Sequence, residues 1–510
     1  MALPHGALYD AYASRDPRFD GVFYIGVTST GIYCRPVCTA RTPKAANCRF
    51  FDSAEAAERA RFRPCLRCRP ELAPGLAPVD DAGRIAAQIV HSMNEGTPGG
   101  GAGLERLATR FGWSSRQIRR IVTRELGVSP MELVLTRRLL LAKQLLTETA
   151  LPVTEIAFAS GFASVRRFND AFATRYGMPP SRLRRAGTMN APPGTQDRFS
   201  LLLSYRAPYE WAGILRFLGA RAMQGVEHVE HDAYHRTVQL GEHRGWIRVT
   251  RDEGRPALRV ELPHALAPVL PALLGRLRHL FDLTARPDVI NATLGADPLL
   301  APSVGRNPGL RVPGAFDGFE LAVRAILGQQ VSVKAATTFG GRFAAAFGDP
   351  ADTPFATLVR TAPSPARIAT LTPEQVASIG IVAARARTIV AVAEEVASGR
   401  LVLDAGVDVE PTVARLVRLP GIGPWTAQYI AMRALRAPDA FPREDLVLRR
   451  QLGDCTPVQA ARRSEAWSPW RSYATLHLWE SSGVEVAAAD DRRESAGAGS
   501  ATPTTKRRPR

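Results

Sequence analysis

Four cysteines constrain this chain more tightly than any other feature. Cys34 and Cys38 form a C-x3-C pair, Cys65 and Cys68 a C-x2-C pair, and twenty-six residues separate the two. The opening MALPHGALYD has neither a basic stretch nor an apolar run, so the expectation is a cytosolic, reducing setting in which cysteines stay unpaired. There, this spacing reads as one tetrahedral Zn2+ held by four thiolates. The segment carrying it, residues 1–76, is small, so the metal contributes much of its folding free energy. Around the cysteines, Val22–Val27 and Asn47–Phe51 read as short strands and Ser53–Arg61 as a helix. Cys48 lies outside the ligand spacing and reads as a small buried side chain. Spacing alone leaves the zinc with a purely structural role.

The rest of the chain needs several domains, since a single core rarely grows past about 300 residues. Its net charge is +18 and its pI about 10.4. That balance favours a polyanionic partner, nucleic acid first, although a bias towards arginine over lysine accounts for part of it. The charge is concentrated: residues 104–185 hold fifteen basic and six acidic side chains, half of the net excess. Two similar passages lie in that stretch. Leu104–Phe111 reads as a helix ending at Gly112, and Ser114 caps a second helix bearing Arg116, Gln117, Arg119 and Arg120. Val153–Ala159 is again a helix, Gly161-Phe162 a turn, and Ser164 caps Val165–Tyr176 with Arg166, Arg167 and Asn169. Pro130–Thr147 reads as one long helix joining them. Two glycine turns also suit an ordinary helical bundle, but the repeat with arginines on both second helices points to DNA. No apolar run approaches a membrane span.

The wording of these motifs carries two resemblances. Thr30-Gly31-Ile32-Tyr33-Cys34-Arg35-Pro36-Val37-Cys38 with Phe62-Arg63-Pro64-Cys65-Leu66-Arg67-Cys68 is similar to the N-terminal domain of the Ada family. The resemblance implies that Cys34 is both zinc ligand and acceptor of a methyl group from DNA methylphosphotriesters. It also places Arg41 near the DNA backbone. Gly161, Phe162, Ser164, Phe168 and Phe172 match the GFxSxxxFxxxF pattern of AraC-type regulators, which implies promoter DNA and RNA polymerase as partners. Arg116, Gln117, Arg166 and Arg167 are then the candidates for groove contacts.

In the C-terminal half, Leu419-Pro420-Gly421-Ile422-Gly423 reads as a tight turn whose following helix, Pro424–Leu435, starts with free N–H groups able to bind a phosphate. Phe441-Pro442-Arg443-Glu444-Asp445 then sets a carboxylate before another helix. This segment resembles the helix–hairpin–helix glycosylases, specifically the AlkA-like 3-methyladenine type. The resemblance makes Asp445 the catalytic carboxylate and assigns Gly421 and Gly423 to the DNA backbone. It puts Trp425, Tyr429 and Trp479 at the base pocket or its rim, against plain core packing as the alternative for all three, strongest for Tyr429. Arg324–Ser332 matches the segment entering the gap left by a flipped base, with Gln329 or Gln330 filling it. Relatives that also cleave the backbone carry a lysine where this chain has Trp425, so Schiff-base chemistry is not expected. Cys455 stands alone, without the cluster cysteines of the endonuclease III-like branch.

Upstream, strands at Phe199–Tyr205, Arg236–Leu240, Trp246–Val249 and Leu258–Leu262, with helices near Trp211–Ala222 and Val269–Phe281, form an α/β lobe. It resembles the N-terminal lobe of the AlkA family. The expected organisation is mainly α with α+β parts: zinc domain 1–76, double helix–turn–helix 84–186, α/β lobe 198–285, all-α glycosylase domain 286–485 and a disordered basic tail 486–510. The expected protein is cytoplasmic and nucleoid-associated, senses methylphosphotriesters, regulates transcription and excises alkylated bases from double-stranded DNA. The alternative is a transcription factor whose glycosylase half only binds DNA.

Overall fold

The computed structural model describes residues 4–73, 105, 114–187 and 197–482. Most of the first helix–turn–helix helix with its Gly112-Trp113 turn, the glycine-rich stretch 96–103, most of the linker after Ala186 and the tail lie outside the described residues.

The first segment folds around a four-stranded sheet of order β3-β1-β2-β4, with β1 Tyr24–Val27, β2 Ile32–Cys34, β3 Cys48–Phe51 and β4 Arg63–Pro64. β1 is antiparallel to β2 and β3, and β4 runs parallel to β2. Ile25 and Tyr33 are fully buried beneath it. Two strands that the sequence reading did not pick out, β2 and β4, each lead into a cysteine pair. Ser53 caps the helix Ala54–Arg59 by accepting from the Ala56 N–H at 3.1 Å.

The helical segment follows its capping signals closely. Ser114 and Gln117 form a capping box opening the helix Ser115–Leu126, which stops at Gly127 in the left-handed region. The joining helix runs Pro130–Glu148 behind a second box, Ser129 with Glu132. Ser164 caps Val165–Tyr176, whose Phe168, Phe172 and Tyr176 are buried with Phe162.

The next lobe is a five-stranded antiparallel sheet, order β5-β9-β8-β7-β6. Its strands are β5 Arg198–Ser204, β6 Glu227–Glu230, β7 Ala233–Leu240, β8 His243–Arg251 and β9 Ala257–Pro263. β6 is the strand absent from the sequence reading. It is short and polar, with glutamates at both ends. Helices Trp211–Gly219 and Leu270–Leu280 pack into one apolar core with β7, β8 and β9.

From Pro287 to residue 482 the described chain is helical. Its core gathers around Gly318–Leu327, Ala383–Ala397 and Pro424–Arg433. Among the described residues no helix is long and apolar enough to cross a membrane.

Candidate active site and metal centre

Cys34 closes β2, Cys38 follows one turn later, and Cys65 and Cys68 leave β4. Their four sulfur atoms lie within 4.8 Å of one another. Four sulfurs that close, once deprotonated, would repel strongly unless a cation sat among them. The backbone is arranged for thiolates: the Arg35 and Arg67 N–H groups each donate to a sulfur, Cys68 Sγ and Cys65 Sγ, at 3.4 Å. Sulfur-only donors at this separation fit one Zn2+. Cys48 belongs to β3 and packs in the same apolar cluster but lies outside the four-sulfur group, its thiol facing the Lys44 carbonyl at 3.6 Å. Arg41 is exposed nearby in sequence.

On the helix–turn–helix segment Arg116, Arg166 and Arg167 are exposed. Gln117 is exposed too, but its side-chain carbonyl is committed to the cap, accepting from the Ser114 N–H at 2.8 Å. Only its amide N–H groups stay available to a base.

The second site is built at the hairpin. The two glycines differ in what they do. Gly421 has φ +82, and a Cβ there would sit 2.2 Å from Thr388 Oγ1. Gly423 has an ordinary extended backbone, caps Pro424–Arg433 without a side-chain bond, and faces open space. The helix start thus carries no side-chain cap and is open at Gly423, as a phosphate-binding end must be.

Asp445 caps the helix Leu446–Gln451: its Oδ1 accepts from the Leu448 N–H at 2.9 Å. Two indoles hold the same carboxylate. Trp479 Nε1 donates to Oδ1 at 3.2 Å and Trp425 Nε1 to Oδ2 at 2.8 Å. Capping and catalytic candidacy therefore coexist at Asp445, because one cap bond leaves lone pairs for the indoles. Trp425 stacks on Tyr429 with centroids 5.2 Å apart and planes at 9°, and Trp479 lies 6.3 Å from Tyr429. All four residues read from the sequence meet here.

Three residues that the sequence reading missed complete the wall. Arg433 donates to the Tyr429 hydroxyl at 2.7 Å while its other nitrogens bond the Pro313 and Gly314 carbonyls at 2.8 and 2.9 Å. Phe217 lies beneath the Arg433 guanidinium at 4.8 Å and the Arg221 guanidinium at 3.9 Å. Burial raises the Tyr429 phenol, but Arg433, Arg221 and Arg324 outweigh it and bring the phenol below its ordinary value. Phe217 and Arg221 belong to the α/β lobe, so this wall spans two lobes. Their only sequence signal was a Phe on an amphipathic helix, which reads as core.

The turn at Gln329-Gln330 separates the two glutamines. Gln329 Nε2 donates to the Gly421 carbonyl at 2.9 Å and to Thr426 Oγ1 at 3.0 Å, and Arg385 bonds its carbonyl oxygen. It braces the hairpin. Gln330 is exposed in a left-handed conformation, φ +55, and is the glutamine free to leave the surface. A fixed carboxylate beside stacked aromatic faces, near an uncapped helix start, can hold an electron-poor ring and stabilise positive charge on a sugar.

Comparison with known proteins gives four family matches in succession: the metal binding domain of Ada over residues 7–71, a helix-turn-helix domain over 107–186, the AlkA N-terminal domain over 200–317, and the HhH-GPD superfamily base excision DNA repair protein over 323–469. The chain is 40% identical over 481 residues to the probable bifunctional transcriptional activator/DNA repair enzyme AlkA of Mycobacterium tuberculosis, covering 92% of this chain and 95% of that one. It is 37% identical to DNA-3-methyladenine glycosylase 2 of Escherichia coli, over 55% of this chain and 97% of the other. A stretch of 24% of the chain is 34% identical to the bifunctional transcriptional activator/DNA repair enzyme Ada of Escherichia coli, over 33% of that protein. With the match to the mycobacterial protein running nearly end to end, this chain belongs to the family of bifunctional transcriptional activator/DNA repair enzymes of the AlkA type.

Proposed function

We infer that this protein is a monofunctional DNA-3-methyladenine glycosylase joined to a methyl-accepting transcriptional regulator. The observation that carries the first part is Asp445, held by two indoles at the foot of the hairpin. An alkylated base in duplex DNA is flipped out at the hairpin face, with Gln330 entering the gap. Its electron-poor ring stacks against the aromatic wall of Trp425, Tyr429 and Trp479. As the N-glycosidic bond breaks, its electron pair leaves with the base and the sugar becomes oxocarbenium-like. Asp445 stabilises that charge and orients a water, which attacks the sugar carbon and passes its proton to the Asp445 carboxylate. Trp425 stands where a lyase would need a lysine, so the backbone is left intact.

At the other end, Cys34 is the methyl acceptor, with Cys38, Cys65 and Cys68 as the remaining zinc ligands. Zinc bound there keeps the thiols deprotonated at neutral pH. The Cys34 sulfur forms a bond to the methyl carbon of a methylphosphotriester, the carbon–oxygen bond breaks, and the phosphodiester leaves as an anion. Methylation removes one negative charge from the cluster and so lowers repulsion from DNA phosphate. The helix–turn–helix segment then holds promoter DNA through Arg116, Arg166 and Arg167 and recruits RNA polymerase.

Free-base release from methylated duplex DNA tests the first part: wild type releases 3-methyladenine and Asp445→Asn does not. Mass spectrometry tests the second, by one added methyl on Cys34 after incubation with methylated DNA. No release by either protein would leave the glycosylase half a DNA-binding module.

A further inference from the structure

β5 is one of the two outer strands of the five-stranded sheet, and among the described residues it pairs only with β9. An outer strand presents unpaired backbone groups that a protein must cover. Here the cover comes from the regulator half. Gln144, on the Pro130–Glu148 helix, donates from Nε2 to the Leu202 carbonyl at 2.9 Å. Glu148, one turn on, accepts from the Leu202 N–H at 3.4 Å. Leu72 of the zinc domain packs against Leu202 and Ala257. Leu139, Leu145 and Ile156 of the regulator share one apolar core with Phe199, Leu203 and Leu262 of the lobe.

Two buried polar routes run from the cysteine cluster into this contact. Lys143, 1% exposed, donates to the Cys65 carbonyl at 3.0 Å and to Glu71 at 2.6 Å, and its neighbour Gln144 is the residue on β5. On the other side Arg35, whose N–H bonds Cys68 Sγ, is paired with the Asp20 carboxylate through Nε at 2.7 Å. The Asp20 carbonyl in turn accepts from Arg206 Nε at 3.1 Å, and Arg206 Nη1 donates to the Thr284 carbonyl at 2.7 Å. Arg206 is 2% exposed, so its bonds have no water to replace them.

We propose that the regulator half is the resident partner of the β5 edge, so that the fold of the four-cysteine cluster stabilises the base-excising half of the same chain. The two halves are one cooperative unit, and zinc bound to the cysteines is felt at the glycosylase lobe.

The test uses the full chain and the metal alone. Six of the seven tryptophans lie beyond residue 197, so intrinsic fluorescence reports unfolding of the repair half. Thermal unfolding is followed with zinc saturating and after chelation. The expected result is a fluorescence midpoint lowered by at least about 2 °C on chelation, the shift that a change near 1 kcal/mol gives in a domain of this size. In Gln144→Ala/Glu148→Ala the same chelation moves the midpoint less, while base release with zinc present stays that of wild type. A fluorescence midpoint indifferent to zinc in the wild type, with the zinc domain's own circular dichroism lost, overturns the proposal and makes the halves independent. An undiminished zinc shift in the double variant overturns the assignment to β5.

Discussion

The Trp425 indole offers the sharpest test of how Asp445 is made ready. In Trp425→Phe an aromatic face stays over Tyr429, where the two rings stack 5.2 Å apart, so the stacked aromatic surface is kept. What disappears is the Nε1–H that reaches Asp445 Oδ2 at 2.8 Å. A hydrogen bond to a charged group contributes about 1.5–3 kcal/mol, and each 1.4 kcal/mol or so of barrier is one decade of rate. If the bond works through the position of the carboxylate in the transition state, base release slows roughly ten- to a hundredfold. The lower end is expected, because Leu448 N–H and Trp479 Nε1 still hold the other oxygen at 2.9 and 3.2 Å. The assay is single-turnover release from methylated duplex with enzyme in excess, alongside affinity for the same DNA. The rate constant should fall with affinity unchanged. A rate within twofold of wild type, or a loss confined to affinity, refutes the positioning argument and leaves Trp425 as a stacking surface.

Four further variants have outcomes set by the geometry. Lys143→Met removes one member of a fully buried pair with Glu71, which keeps Arg69 Nε at 3.1 Å, so chemical denaturation should show the loss of a charged hydrogen bond, about 1.5–3 kcal/mol, whereas an exposed pair such as Arg244–Asp349 should show about 1 kcal/mol or less. Burial brings the His477 imidazole down to about 4 from 6.5, so the folded state keeps it neutral while the unfolded chain takes up a proton. Its contribution is present above pH 6.5 and lost as pH falls towards 4, up to about 3 kcal/mol, and the urea midpoint of His477→Asn should depend less on pH over that window. Gln330→Ala should lower base flipping, read by fluorescence of 2-aminopurine beside the lesion, with little change in affinity for undamaged duplex. Gln329→Ala should weaken both, since it cuts the brace between this turn and the hairpin.

What the sequence determined by itself is what depends on neighbours a few residues apart. The cysteine spacing defined a metal site because ligand geometry is short-range, and all four sulfurs converge. Helix starts at Ser114, Ser164 and Asp445 were readable because a cap and its target lie three residues apart. The Gly421 turn was legible because only glycine accepts its backbone angle beside Thr388 without strain. Tertiary structure decided everything that joins distant residues. Whether Gln329 or Gln330 is free, that Asp445 is gripped by indoles twenty and thirty-four residues away, and that Arg433 and Phe217 join the aromatic cluster depend on side-chain directions across separate elements. The seating of the regulator on β5 is of the same kind. Gln144 and Glu148 read as polar residues of an amphipathic helix, and only packing against an uncovered strand, fifty-eight residues on from Gln144, gives them a partner.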